Sequence, residues 1–163
     1  MKIGVVSDTH GHVEFALPAV ELLRQEGVEQ VLHCGDIGST EIVQLFADWP
    51  THFVFGNTDY GYEPLITAMT SLGHTCHEMF GDFKLASRRI ALLHGHEGWR
   101  LSESISSGDY DLVCSGHTHQ RNLQQSGRTT VLNPGALYRA SEHTIAIVDL
   151  ATMSVVHQTV DAE

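Results

Sequence analysis

The runs "KIGVVSD", "QVLHCGD", "HFVFGN", "RIALLHG" and "DLVCSGH" are built alike: a few Val, Ile, Leu or Phe residues, then an abrupt polar close. Apolar stretches this short, bounded by turn residues, read as strands buried on both faces. Helical patterns separate the first of them. Val13, Ala16, Leu17, Val20 and Leu23 recur near a 3.6-residue period, and Gly27 supplies a C-terminal stop. Proline suits only a first helical turn, so Pro18 predicts a start at or after Glu14. A second helix opens at Ser39 or Thr40, turns Ile42, Val43, Leu45 and Phe46 inward, and ends before Pro50. This alternation predicts a right-handed βαβ start and a parallel sheet.

The second half reads as more antiparallel. Residues 74–80 and 83–86 pair around Gly81-Asp82, and a short helix covers about 99–106. "RNLQQSGRTTVLN" reads as a hairpin turning at Ser126-Gly127, and two strands near 144–149 and 153–160 close the chain. With 163 residues and no internal repeat or linker, the expectation is one α/β domain over 1–163.

Charge and composition exclude several classes. A net charge of −11 argues against bulk nucleic-acid binding, which needs a basic face. No apolar run approaches the roughly 18 residues of a membrane span. "MKIGVVSDTHG" turns polar too soon for a signal peptide, so a cytoplasmic protein is expected. Cys34, Cys76 and Cys114 show no CxxC spacing, which indicates neither a disulfide framework nor a thiolate zinc site. The 12 histidines outnumber the 9 Lys and Arg, and His is the commonest metal-ligating side chain.

The residues that end the apolar runs are Asp8 and His10, Asp36, Asn57, His94, and His117 with His119. A single Asp before a helix is ordinarily a cap. Repetition of O and N ligands at successive strand ends, where α/β sheets open their binding crevice, favours a metal site. The i, i+2 spacing of Asp8/His10 and of His117/His119 would align each pair in an extended chain. Imidazole plus carboxylate without thiolate suits Mn, Fe, Zn, Ni or Co. The set exceeds a tetrahedral site and fits two ions sharing a carboxylate, roughly 3.5–4 Å apart. Two divalent ions, two carboxylates and a hydroxide leave about one positive charge, which would attract and stabilise a phosphate.

"DTH" at 8–10, "GDIG" at 35–38, "GNTD" at 56–59, "HGH" at 94–96 and "GHTH" at 116–119 resemble the signature of calcineurin-like metallophosphoesterases. Motif order, length and "NPGA" at 133–136 resemble the small prokaryotic phosphodiesterase branch. The resemblance implies an α/β/β/α fold, a two-sheet sandwich of mixed strands flanked by helices. It implies Asp8, His10, Asp36 and His119 on one ion, and Asp36, Asn57, His94 and His117 on the other, with Mn favoured. Asp36 would bridge the two, and a metal-bridging water or hydroxide would attack a small phosphodiester in line. Where many relatives have a phosphate-contacting His after Gly-Asn, this chain has Thr58, which cannot act as a general acid near neutral pH. His96 is a candidate replacement acid, its alternative being a solvent-facing His. Arg139 is a candidate substrate contact, its alternative being a surface Arg. A phosphomonoesterase or nucleotidase and a non-catalytic scaffold of the same fold stand as alternatives, and a homo-oligomer is left open.

Overall fold

The parallel start predicted from the apolar runs is present. The computed structural model describes residues 1–161. Strands β1 (Lys2–Val6), β2 (Gln30–His33), β3 (Thr51–Phe53) and β4 (Thr75–Cys76) lie side by side in parallel. They are linked by helices α1 (Val13–Glu26), α2 (Thr40–Leu45) and α3 (Tyr62–Ser71). The chain's last strands, β10 (Thr144–Asp149) and β11 (Ser154–Thr159), extend this sheet antiparallel beyond β1, giving the order β11-β10-β1-β2-β3-β4. The second sheet holds β5 (Phe80–Leu85), β6 (Arg88–Leu93), β7 (Leu112–Cys114), β8 (Asn122–Ser126) and β9 (Thr129–Asn133), in the order β5-β6-β7-β9-β8. Helix α4 (Gly98–Ser106) connects β6 to β7.

Period-2 alternation sorts the side chains into layers. Ile3 and Val5 of β1, and Ala146 and Val148 of β10, meet Ile90 and Leu92 of β6 and Leu112 of β7 between the sheets. Ile145 and Ile147 of β10 face the other way, onto Ala16, Val20 and Leu23 of α1. Ala91, Leu93 and Val113 cover the outer face of the second sheet and pack with Leu101 and Ile105 of α4. The layers are therefore helix, sheet, sheet, helix, a two-sheet mixed sandwich flanked by helices. Gly4 brings α1 close to β1: a Cβ there would stand 2.3 Å from Leu23 Cδ2.

Several local expectations are corrected. Helix α1 starts at Val13 and carries Pro18 in its interior rather than in its first turn. Pro18 leaves the Glu14 carbonyl without a helical donor; Glu14 is exposed, so water can serve it. Helix α3 has no counterpart in the sequence reading, because it buries only Leu65 and Met69 and begins beside Gly61 and Pro64. No hairpin turns at Gly81-Asp82. Both residues lie inside β5, which turns into β6 at Ala86-Ser87. That two-residue turn runs at φ 46° and 66° without the usual Asn or Gly. The second sheet is also less antiparallel than expected, since β6, β7 and β9 run parallel at its centre. Trp99, at the start of α4, is 62% exposed. The β8–β9 hairpin forms, with its two-residue turn one position later than expected, at Gly127-Arg128, because Ser126 pairs with Thr129; the two closing strands stand as expected.

Candidate functional site

The carboxyl ends of β1, β2, β3, β6 and β7 open onto one rim, so loops from both sheets converge there. Asp8 and His10 follow β1, Asp36 follows β2, Asn57 follows β3, His94 follows β6, and His117 and His119 follow β7. Their alignment is not that of an extended chain. Asp8, His10, Asp36, His117 and His119 all have left-handed backbones, with φ of 56°, 47°, 54°, 69° and 58°. Asp and His are among the residues that tolerate this region best, but it still costs about 1–2 kcal/mol each. Such strain held by the surroundings clusters at functional sites.

Close approach at the rim requires absent side chains. A Cβ on Gly56 would lie 2.0 Å from Asp36 Oδ1, and one on Gly116 would lie 2.7 Å from Asp8 Oδ2. Asp36 Oδ1 accepts the Thr58 backbone N–H at 3.0 Å, which turns Oδ2 inward. Oδ2 then stands 3.5 Å from His10 Nε2 and 3.3 Å from His94 Nε2. Asp36 is thus in contact with both halves of the cluster. Asp8 Oδ1 lies 3.2 Å from His119 Nε2 and 3.8 Å from His10 Nε2.

Backbone carbonyls orient the imidazoles. His94 Nδ1 is 2.8 Å from the Cys34 carbonyl, and His119 Nδ1 is 3.1 Å from the Arg139 carbonyl. In the neutral ring each Nδ1–H donates there, and Nε2 presents a lone pair inward. In that neutral form His94 Nε2 faces Asn57 Oδ1 at 3.0 Å and Asp36 Oδ2 at 3.3 Å, three acceptors that a cation, either a proton on His94 or a metal ion, would hold together. Asp8 Oδ1 and His10 Nε2 are buried without any hydrogen-bond partner. Converging acceptors and orphaned ligand atoms are what a cation resolves, so the residues fit a metal. Donor atoms of Asp8, His10 and His119 form one compact group, and those of Asp8, Asp36 and His94 form another. Asn57 touches the second group through His94. His117 lies outside both, its ring centroid 5.1 Å from that of His94.

Electrostatics agree with a polar cluster short of positive charge. Burial opposes charge on His94, but Asp36 and Asp8 outweigh it and raise its pKa. Burial likewise opposes ionisation of Asp36, yet His94 and the Thr58 N–H hold it well below the usual carboxylate range. Asp8 is lowered despite its burial, by His10 and Ser7. Desolvation lowers His117.

The remaining candidates sit around this cluster. Thr58 Oγ1 lies 3.4 Å from His10 Nδ1. His96 Nδ1 is buried without a partner, and the His96 ring lies 5.5 Å from that of His94. Sequence reasoning missed the bracing residues. Asp59, 2% exposed, accepts the backbone N–H groups of Gly56, Ile37 and Gly38 at 2.8, 3.2 and 3.0 Å. Asn133 donates to the Gly116 carbonyl at 2.8 Å and to Thr118 Oγ1 at 3.1 Å, fixing the loop that carries His117 and His119. Fully buried His33 joins Thr9 to the Gly35 N–H, and burial lowers its pKa to about 3. The signal for Asp59 and Asn133 was present, as the last residue of "GNTD" and the first of "NPGA".

Comparison with known proteins resolves the class. The model of the calcineurin-like phosphoesterase superfamily domain matches residues 1–153. The chain belongs to this superfamily. A phosphodiesterase of Methanocaldococcus jannaschii is 33% identical over 156 residues, covering 91% of this chain and 93% of that protein. The solved structure of an archaeal phosphodiesterase superposes with a TM-score of 0.91 at 30% identity, over 98% of this chain and 99% of that one. Zinc-complexed Vps29 of Entamoeba histolytica shares the calcineurin-like fold, with a TM-score of 0.66 at 19% identity over 100% of both chains. Among the described residues no helix is long and apolar enough to cross a membrane.

Proposed function

We propose that the chain is a dinuclear, divalent-metal-dependent hydrolase of small phosphodiesters. The carrying observation is the acceptor-only convergence of His94 Nε2, Asp36 Oδ2 and Asn57 Oδ1 beside the orphaned Asp8 Oδ1 and His10 Nε2. Asp8, His10, Asp36 and His119 would hold one ion, and Asp36, Asn57, His94 and His117 the other, Mn²⁺ being favoured. When bound, the ions supply Lewis acidity, polarising phosphate and making water nucleophilic near neutral pH. Asp36 would be the shared ligand, a reading supported by its Oδ2, which lies 3.5 Å from His10 Nε2 and 3.3 Å from His94 Nε2. The carbonyls of Cys34 and Arg139 hold His94 and His119 in the ligating tautomer. Water would attack phosphorus in line with the departing ester oxygen, and His96, whose ring lies 5.5 Å from that of His94, would be the candidate to protonate that oxygen. The diester preference is favoured by the name of the Methanocaldococcus jannaschii relative.

The test is hydrolysis of bis(p-nitrophenyl) phosphate and p-nitrophenyl phosphate after metal stripping and reloading with Mn²⁺. Activity should vanish on chelation and return with Mn²⁺, and the diester should be preferred. Asp36→Asn should cost more than His119→Ala, because it disturbs both ions. Equal, mild losses would oppose a bridging Asp36. Full activity of the stripped protein would remove the mechanism, and faster monoester turnover would make it a phosphomonoesterase.

A further inference from the structure

Arg139 stands beside the site in an unusual way. Its backbone is left-handed at φ 53°, a conformation uncommon for Arg. The strain has a visible cause: its carbonyl accepts the His119 Nδ1–H. The same tether fixes where the side chain leaves the rim. The guanidinium lies 5.5 Å from the centre of the Tyr138 ring, within cation–π range. Tyr138 in turn stacks on His12, with centroids 3.6 Å apart and planes at 15°, and packs 5.8 Å from the His10 ring. The guanidinium is therefore seated on an aromatic shelf that abuts a candidate metal ligand.

Arg139 is also without a counter-ion. Arg24, Arg88, Arg89, Arg100, Arg121 and Arg128 each meet a carboxylate. Among the described residues Arg139 meets none, in a chain of net charge −11. A planar guanidinium offers paired N–H donors that match phosphate oxygens. We propose that Arg139, supported by Tyr138, forms a subsite for a second phosphate carried by the phosphodiester substrate, away from the phosphorus that is attacked. This rests on the phosphodiesterase reading and narrows its substrate class to esters bearing a further phosphomonoester.

Calorimetric titration of the Mn²⁺-loaded protein with thymidine 3′,5′-bisphosphate and thymidine 5′-monophosphate isolates the extra phosphate. The bisphosphate should bind about tenfold more tightly. Arg139→Met, which keeps the carbonyl and an apolar stem, should shrink that ratio to within about twofold, and Arg139→Lys should retain part of it. The p-nitrophenyl 5′-esters of thymidine 5′-phosphate, with and without a 3′-phosphate, should show the same ratio in KM. No preference in the wild-type protein, or equal weakening of both ligands by Arg139→Met, overturns the subsite. A retained, Arg139-dependent binding preference with no turnover of either ester supports the subsite and overturns the phosphodiesterase reading instead.

Discussion

At the scale of residues, the position after Asn57 sets what the site can do. Thr58 gives its N–H to Asp36, and its side chain carries only a hydroxyl, 3.4 Å from His10 Nδ1, so it supplies no proton near neutral pH. His96 is the candidate alternative acid, its Nδ1 buried and unpaired and its ring 5.5 Å from that of His94. Aryl esters leave without help, whereas alkyl and nucleoside esters need a proton, a contribution typically worth about 10²–10⁴-fold. Thr58→His should raise turnover of poor leaving groups more than that of aryl esters, and His96→Ala should do the reverse. The measurement is the slope of log rate against leaving-group pKa for wild type and both variants. A flat slope in all of them means that departure does not limit the rate, and position 58 then has no catalytic meaning. The ligand residues themselves were legible because each closes an apolar run. Their left-handed backbones were not, because Asp and His adopt either sign of φ and only the converging loops select one.

Between strand and loop, the site depends on residues that touch no substrate. Asp59 ties the loop after β2 to the loop after β3 by accepting three backbone N–H groups. Asp59→Asn exchanges one carboxylate oxygen for an NH₂ that meets those donors head-on. The loop carrying Asp36 should loosen, lowering Mn²⁺ affinity by about 10–100-fold, the usual effect of losing a ligand's support. Stability should fall by about 1–3 kcal/mol, as for unpaired buried donors. Metal titration and urea midpoints report the two effects, and an unchanged Mn²⁺ affinity would reduce Asp59 to a bystander. Elements with strong local signals were readable: β1, β2, α2, the β8–β9 hairpin and the β10–β11 pair all follow from periodicity and Gly or Pro punctuation. The β5–β6 turn was not, because Ala86 and Ser87 carry no turn chemistry and their φ is imposed by the six-pair ladder they join. Helix α3 was hidden for the opposite reason: Gly61 and Pro64 look like a loop, yet Pro64 falls in the first turn, where a helix accepts it.

Across the whole molecule, the two sheets share a hydrophobic interior and meet again at the rim through charged and polar groups. Asp8, His10, Asp36 and Asn57 come from the first sheet, and His94, His117 and His119 from the second. An ion held between them would cross-link the layers and bind only the folded chain. Free metal at about 100 times its Kd would then add about 2.7 kcal/mol of stability. For a chain of this size that is a rise in Tm of about 5–10 °C. The gain should depend on pH with a definite sign. Ligands bind metal only when deprotonated, and the pKa of His94 is raised, so its proton competes for the site already from above the ordinary His range. The Mn²⁺-induced rise should be full above that pKa and fade as pH falls through it. Scanning calorimetry with and without Mn²⁺, at matched ionic strength across that range, reads this directly. Asp36→Asn should lose most of the rise at every pH, since it weakens the ligand in contact with both His10 and His94. An equal rise in that variant, or one that grows toward acid, would mean that the ion binds elsewhere and that the convergence at the rim is not what holds it.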